Sequence, residues 1–92
     1  MITHFADKNT QAIFKGETVK RVPLDLQQNV LHKLQMLDAA TCIADLQAIP
    51  GLRCKVYILP LWSIRVNNQY RITFTVTEEP MDVRNVMYSD YH

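Results

Sequence analysis

The chain has 92 residues, of which 48% are apolar and 21% charged. This is the composition of one ordinary globular domain, so we expect residues 1–92 to form a single domain of helices on one sheet, without a second lobe. The formal net charge is only +1. That balance excludes a strongly basic nucleic-acid-binding protein, and any contact with nucleic acid must depend on a local patch.

Cysteine and histidine usage points to a cytoplasmic protein without a bound metal. Cys42 and Cys54 lie in apolar sequence, which predicts buried free thiols rather than a disulfide. His4, His32 and His92 are too scattered to form a ligand set. The apolar runs are too short to span a membrane, and no signal peptide precedes them. We therefore expect no cofactor, no metal and no membrane contact.

The first half of the chain is predicted to be mostly helical. After a short strand at residues 2–5, Asp7 is a suitable N-cap for a helix ending near Gly16. The clearest helix begins after Pro23, where apolar residues recur on one face and His32 lies on the solvent side. The residues of that apolar face are Leu26, Val30, Leu34 and Leu37. A second short segment follows at 42–47, and Pro50 with Gly51 ends the helical half.

The second half alternates apolar and polar residues, which is typical of strands. Residues 62–66 and 70–77 form two such runs, and a third covers 81–89. A two-residue turn at 67–68 puts the apolar sets of the first two runs on opposite faces. A three-residue loop, at 66–68 or 67–69, brings them to one face. The predicted fold class is α+β, with N-terminal helices packed on a mainly antiparallel sheet.

Either three-residue loop places Arg65 and Arg71 together on the polar face of the sheet. Two arginines side by side repel each other unless an anion lies between them, and the guanidinium fork suits a phosphate. Further candidates for this patch are Arg53, Lys55 and Arg84. The alternative is that these are ordinary solvated charges, some of them paired with acids. The acids in question are Asp82, Glu78 and Glu79.

The last three residues, Asp90, Tyr91 and His92, all have side chains that can donate or accept a proton. Beside a phosphate-binding face, these groups suit metal-independent cleavage of RNA. That reaction removes a proton from the 2′-hydroxyl, gives one to the leaving 5′-oxygen and needs cations for the charge on phosphorus. The alternative is a chain that simply ends in polar residues.

Several segments together resemble HigB-type toxins of the RelE superfamily. KLQMLDAAT (residues 33–41), IPG (49–51), WSIRVNNQYRITF (62–74) and DYH (90–92) match that family in the same order. The resemblance implies a RelE-like fold and a ribosome-dependent endoribonuclease that cuts messenger RNA. It also implies a HigA-like antitoxin partner with a helix-turn-helix domain, which alone contacts operator DNA.

At matching positions, the resemblance implies that Arg71 stabilises the phosphate. It places Asp90, Tyr91 and His92 at the cleavage site, with His92 as the candidate acid or base. RNA-binding side chains are expected at Arg53, Lys55, Arg65 and Arg84.

One segment departs from the family pattern. Family members carry a basic, glycine-bearing loop before the WSI strand, whereas this chain reads LRCKVYILPL at residues 52–61, shorter and more apolar. Because phosphate contacts govern RNA affinity, an alternative is a weakened toxin that binds its antitoxin and tunes operator binding without cutting RNA. A further alternative is a small RNA- or ligand-binding domain unrelated to toxins.

Overall fold

Within residues 1–78 and 80–90, which the computed structural model describes, three helices precede a four-stranded sheet. The helices are α1 (Lys8–Phe14), α2 (Leu24–Ala39) and α3 (Ile43–Gln47). The strands are β1 (Lys55–Ile58), β2 (Leu61–Arg65), β3 (Tyr70–Thr77) and β4 (Asp82–Asp90). They are antiparallel in the order β1-β2-β3-β4, so β1 and β4 form the edges. The predicted α+β class is confirmed.

The helices begin where the sequence predicts. Asp7 is the N-cap of α1, and its Oδ1 accepts a hydrogen bond from the Thr10 backbone N–H at 2.9 Å. Helix α2 follows Pro23 directly. Its predicted apolar face is buried and His32 is exposed. No helix in this described part of the chain is both long enough and apolar enough to cross a membrane.

The hydrophobic core lies between α2 and one face of the sheet. Side chains with no exposed surface come from both layers: Val30, Leu34, Leu37, Ile64, Ile72, Phe74, Val83 and Val86. Cys42 and Cys54 are free thiols, as predicted, but they are half-buried rather than buried. Partial burial raises the pKa of the Cys54 thiol.

The β2–β3 hairpin has one of the two registers left open by the sequence. Ile64 pairs with Ile72 and Arg65 with Arg71, so the connecting loop is 67–69. Asn67 Oδ1 organises this loop by accepting the backbone N–H groups of Gln69 and Tyr70, both at 2.8 Å. Both apolar sets therefore lie on the core face.

The strand predicted at residues 2–5 is wrong in extent. Only two isolated parallel bridges form, between Ile2 and Val83 and between Phe5 and Val86. The ladder is interrupted because β4 carries a bulge there: the register shifts by one residue, and Asn85 has a φ of 56°. The Asn85 backbone N–H donates instead to His4 Nδ1 at 3.3 Å.

Candidate nucleic-acid interface

Three cations lie on one face of the sheet because of the strand pairing. Lys55 pairs with Ser63, and Arg65 pairs with Arg71. Ser63 in turn pairs with Thr73, which continues the same row across β3. Cross-strand partners project to the same side. We call the side defined by these five residues the basic face; the core packs against the other side.

A groove of about 330 Å³ runs along the basic face. Its lining residues are Arg53, Lys55, Ser63, Arg65 and Asn68. Arg53 reaches the groove from the turn before β1, where it has a φ of 49°. Within residues 1–78 and 80–90, no carboxylate lies within ion-pair distance of Arg53, Lys55 or Arg65. The groove therefore presents positive charge on a molecule that is nearly neutral overall.

Arg65 and Arg71 each bind a neutral side chain. Like charges directly opposite each other destabilise a sheet. The Nη2 of Arg65 donates to Asn68 Oδ1, in the hairpin loop. The Nη2 of Arg71 donates to Tyr57 Oη at 2.6 Å, and its guanidinium carbon lies 3.9 Å from the Tyr57 ring centroid. Both contacts are with neutral groups, and they fix where each guanidinium lies on the basic face.

The sequence reasoning missed Tyr57 and Asn68. Tyr57 follows Lys55 by two positions in β1, but the β1–β2 register shifts between Val56 and Ile58, so it is the contact with Arg71 that places the Tyr57 ring on the basic face. Strand periodicity could not have identified Tyr57, because this irregularity has no signal in the sequence. The sequence indicates only that Asn68 lies in a turn. Its contact with Arg65 depends on the loop conformation, which the sequence does not show.

Asp90 belongs to the other face of the sheet. It pairs with Tyr70, whereas Arg71 pairs with Ser89, and successive residues of a strand point in opposite directions. The Asp90 carboxylate accepts a hydrogen bond from Gln69 Nε2 at 3.0 Å. Asp90 thus lies at the end of β4, tied to the 67–69 loop.

Arg84 is remote from the groove. It pairs with Thr75, four residues along β3 from Arg71, a separation of roughly 13 Å along the strand. Its Nε forms an ion pair with Asp82 Oδ2 at 2.9 Å, as the alternative of paired charges proposed. Hydrogen bonds from the Thr3 hydroxyl and then from Arg84 hold the pKa of Asp82 below its usual range.

The structure therefore brings together part of the predicted site. Arg53, Lys55 and Arg65 share the groove, and Arg71 lies directly opposite Arg65. Asp90 and Arg84 lie elsewhere, as described above. The remaining predicted residues, Tyr91 and His92, lie outside the described residues.

Helices on one face of a small antiparallel sheet, with cations on the other, form a small α+β domain whose architecture is consistent with RelE-like toxins. Comparison with known proteins agrees with the fold. The family described as the RelE-like toxin HigB of type II toxin–antitoxin systems matches residues 3–92, and the chain belongs to that family. Membership in a type II system implies an antitoxin partner.

Two relatives illustrate how closely the chain resembles other proteins. It is 36% identical to "Toxin HigB-1" of Vibrio cholerae serotype O1 over 78 residues, which is 80% of this chain and 82% of the relative. It is 32% identical to an uncharacterised protein of Haemophilus influenzae over 94 aligned positions, covering 97% of this chain and 89% of the relative.

Proposed function

We propose that this toxin is a ribosome-dependent endoribonuclease that binds the scissile phosphate of messenger RNA on its basic face. The observation that carries the proposal is the groove in which Arg53, Lys55 and Arg65 lie together without a carboxylate partner among the described residues. Cations gathered on one sheet face suit the regularly spaced phosphates of a single strand. Membership in the HigB family supports the same substrate class.

The proposed reaction needs no redox step and no bound metal. The 2′-oxygen loses its proton and attacks the adjacent phosphorus, the bond from phosphorus to the 5′-oxygen breaks, and that oxygen takes up a proton. The products are a 2′,3′-cyclic phosphate and a 5′-hydroxyl. Arg71 stabilises the charge that develops on the non-bridging oxygens, and Arg65 assists from the paired position.

Proton transfer is assigned to the end of the chain. His92 is the candidate acid or base, since imidazole titrates near neutral pH. Tyr91 and Asp90 complete the proposed set. The contact from Gln69 to Asp90 supports a role for Asp90 in orienting this end of β4 relative to the 67–69 loop.

The proposed partners follow from the family. The antitoxin is a HigA-like protein with a helix-turn-helix domain, and operator DNA is bound only through it. The ribosome supplies the RNA in its A site, so the proposed compartment is the cytoplasm. Purification of the co-expressed pair tests the antitoxin assignment, and failure of any such protein to copurify would contradict it.

Growth arrest tests the nuclease activity. Expression of the toxin without antitoxin should stop growth, and His92→Ala or removal of residues 90–92 should restore it. Primer extension on ribosome-bound messages should find cuts only with the intact protein. Equal growth with the intact and truncated chains would contradict the nuclease function.

A second candidate function has its own supporting observation. Where the resemblance implies a basic loop, this chain has a two-residue turn, since Ile58 pairs with Leu61. Ile58 and Leu59 are 63% and 76% exposed and present apolar surface rather than charge. A toxin that binds its antitoxin and tunes operator binding without cutting RNA fits this hairpin. That function predicts harmless expression together with a stable antitoxin complex.

A further inference from the structure

We propose that Tyr57 forms a nucleobase-stacking subsite next to the phosphate-binding arginines, so that the toxin holds a base and its phosphate together. The inference rests on the proposed RNA-cleaving function and names a contact that this function does not require. Its ligand is an unpaired base of single-stranded RNA.

The position of Tyr57 supports this subsite. Its phenol lies on the basic face, where it contacts Arg71, in the edge strand β1. The side chain remains 40% exposed, although Arg71 stacks against one face of its ring. Aromatic residues exposed this far on a sheet are suitable platforms for unpaired bases.

The guanidinium of Arg71 makes the ring a better platform. It lies 3.9 Å from the ring centroid, and the hydrogen bond from its Nη2 to Tyr57 Oη, 2.6 Å long, fixes the relative orientation of the two groups. A ring held in one orientation loses little conformational entropy when a base stacks on it. In the proposed reaction Arg71 binds the phosphate, so the aromatic ring beside it would contact the neighbouring base.

The subsite also gives the apolar hairpin a function. The resemblance to HigB-type toxins implies basic residues in this segment, which would bind RNA through charge. Here Tyr57 would replace part of that charge with stacking, which tolerates any base because every base has a flat aromatic face. RNA affinity should then depend less on salt than phosphate contacts alone would require.

The experiment compares two fluorescent RNA strands of equal length, an oligoadenylate and the same backbone with abasic positions. Both carry the same phosphates. The dissociation constant of the abasic strand divided by that of the oligoadenylate therefore isolates the contribution of the bases. Tyr57→Ala should reduce that ratio by about 5- to 150-fold, the usual contribution of one aromatic stack. Tyr57→Phe keeps the ring and should retain most of the ratio. Ile58→Ala, a neighbouring change on an exposed side chain, should leave it unchanged.

Two results would overturn the subsite. If Tyr57→Ala weakens both strands equally, Tyr57 acts only by positioning Arg71. If the variant changes neither affinity, the ring does not contact RNA. The nuclease function is tested separately on ribosomes: a protein that keeps the Tyr57-dependent base preference but never cuts messenger RNA supports the subsite and contradicts the nuclease. A protein that cuts messenger RNA but has no Tyr57-dependent base preference supports the nuclease and contradicts the subsite.

Discussion

Arg71 and Asp90 project from opposite faces of the sheet, although β3 and β4, which carry them, are paired. The register places Asp90 opposite Tyr70 and Ser89 opposite Arg71. The Asp90 carboxylate binds Gln69, and the Arg71 guanidinium binds Tyr57. In the proposed reaction the phosphate therefore binds on the basic face, and Asp90 acts from the end of the sheet rather than from the groove.

Replacement of Arg71 tests the phosphate site directly. Arg71→Ala should weaken RNA binding by roughly 10- to 100-fold, because it removes charge-assisted hydrogen bonds to the phosphate. Its stacking on Tyr57 contributes about 0.5–1 kcal/mol to folding, and its hydrogen bond to Tyr57 Oη contributes about 0.5–1.5 kcal/mol. The loss of these two contacts should lower the melting temperature by about 4–20 °C.

Arg84→Ala is the matched control, since it removes an arginine far along the same sheet. RNA affinity should be nearly unchanged in that variant. A much larger loss of melting temperature in Arg71→Ala would show that the side chain supports the fold rather than RNA.

The salt dependence of the RNA affinity measures how many cations of the groove contact phosphates. Each phosphate contact adds about 0.7 to the slope of log K against log salt for a single strand. Arg53→Gln and Lys55→Gln should each lower the slope by about that amount, because both residues line the groove. Lys20→Gln changes a lysine outside the groove and should leave the slope unchanged. Equal slopes in all four proteins would exclude the groove as the RNA site.

Most elements of the fold were predictable because they carry local signals. Asp7 accepts the Thr10 backbone N–H, as an N-cap aspartate is expected to do. The need to keep both apolar sets on one face left two hairpin registers open, and the one that pairs Ile64 with Ile72 is observed. The bulge at Asn85 was not predictable, because it depends on how β4 pairs with β3 rather than on a local pattern of residues.

The site was predictable only in part, for a physical reason. Arg65 and Arg71 are paired by the same register that buries the core, so periodicity placed them together. Arg84 shares their face by periodicity too, but its distance along the strand and its partner Asp82 appear only in three dimensions. The contact between Tyr57 and Arg71 joins β1 to β3 across β2, and no local pattern encodes such a contact.

Gln27 is predicted to stabilise the connection between α1 and α2. It is only 7% exposed, and its side-chain amide makes three hydrogen bonds to the backbone of Val19 and Val22. Gln27→Leu leaves those backbone groups without their partner and should lower the free energy of unfolding by about 2–3 kcal/mol. Urea denaturation measures this loss. Gln28→Leu, an exposed neighbour on the same helix, should change stability by less than about 0.5 kcal/mol.

Tyr88 is predicted to make stability depend on alkaline pH. Burial, followed by the charges of Asp7 and of ionised Tyr70, raises the pKa of the Tyr88 phenol. In the unfolded chain a tyrosine titrates near pH 10. Between these two pKa values the folded state binds more protons than the unfolded state, so stability falls as pH rises. The stabilisation is complete below about pH 10 and is lost through the raised value in the folded protein.

Tyr88→Phe removes this titration while keeping an aromatic ring beside Tyr70, whose centroid lies 6.0 Å away. The variant should therefore lose stability less steeply than the parent protein above about pH 10, so the difference between the two urea midpoints should change there. Parallel curves across the alkaline range would show that the phenol ionises equally readily in the folded and unfolded states. In that case Tyr88 would be accessible to water in solution, and the packing of β4 against α1 would have to be looser than the hydrogen bond from the Tyr88 backbone N–H to Thr10 indicates.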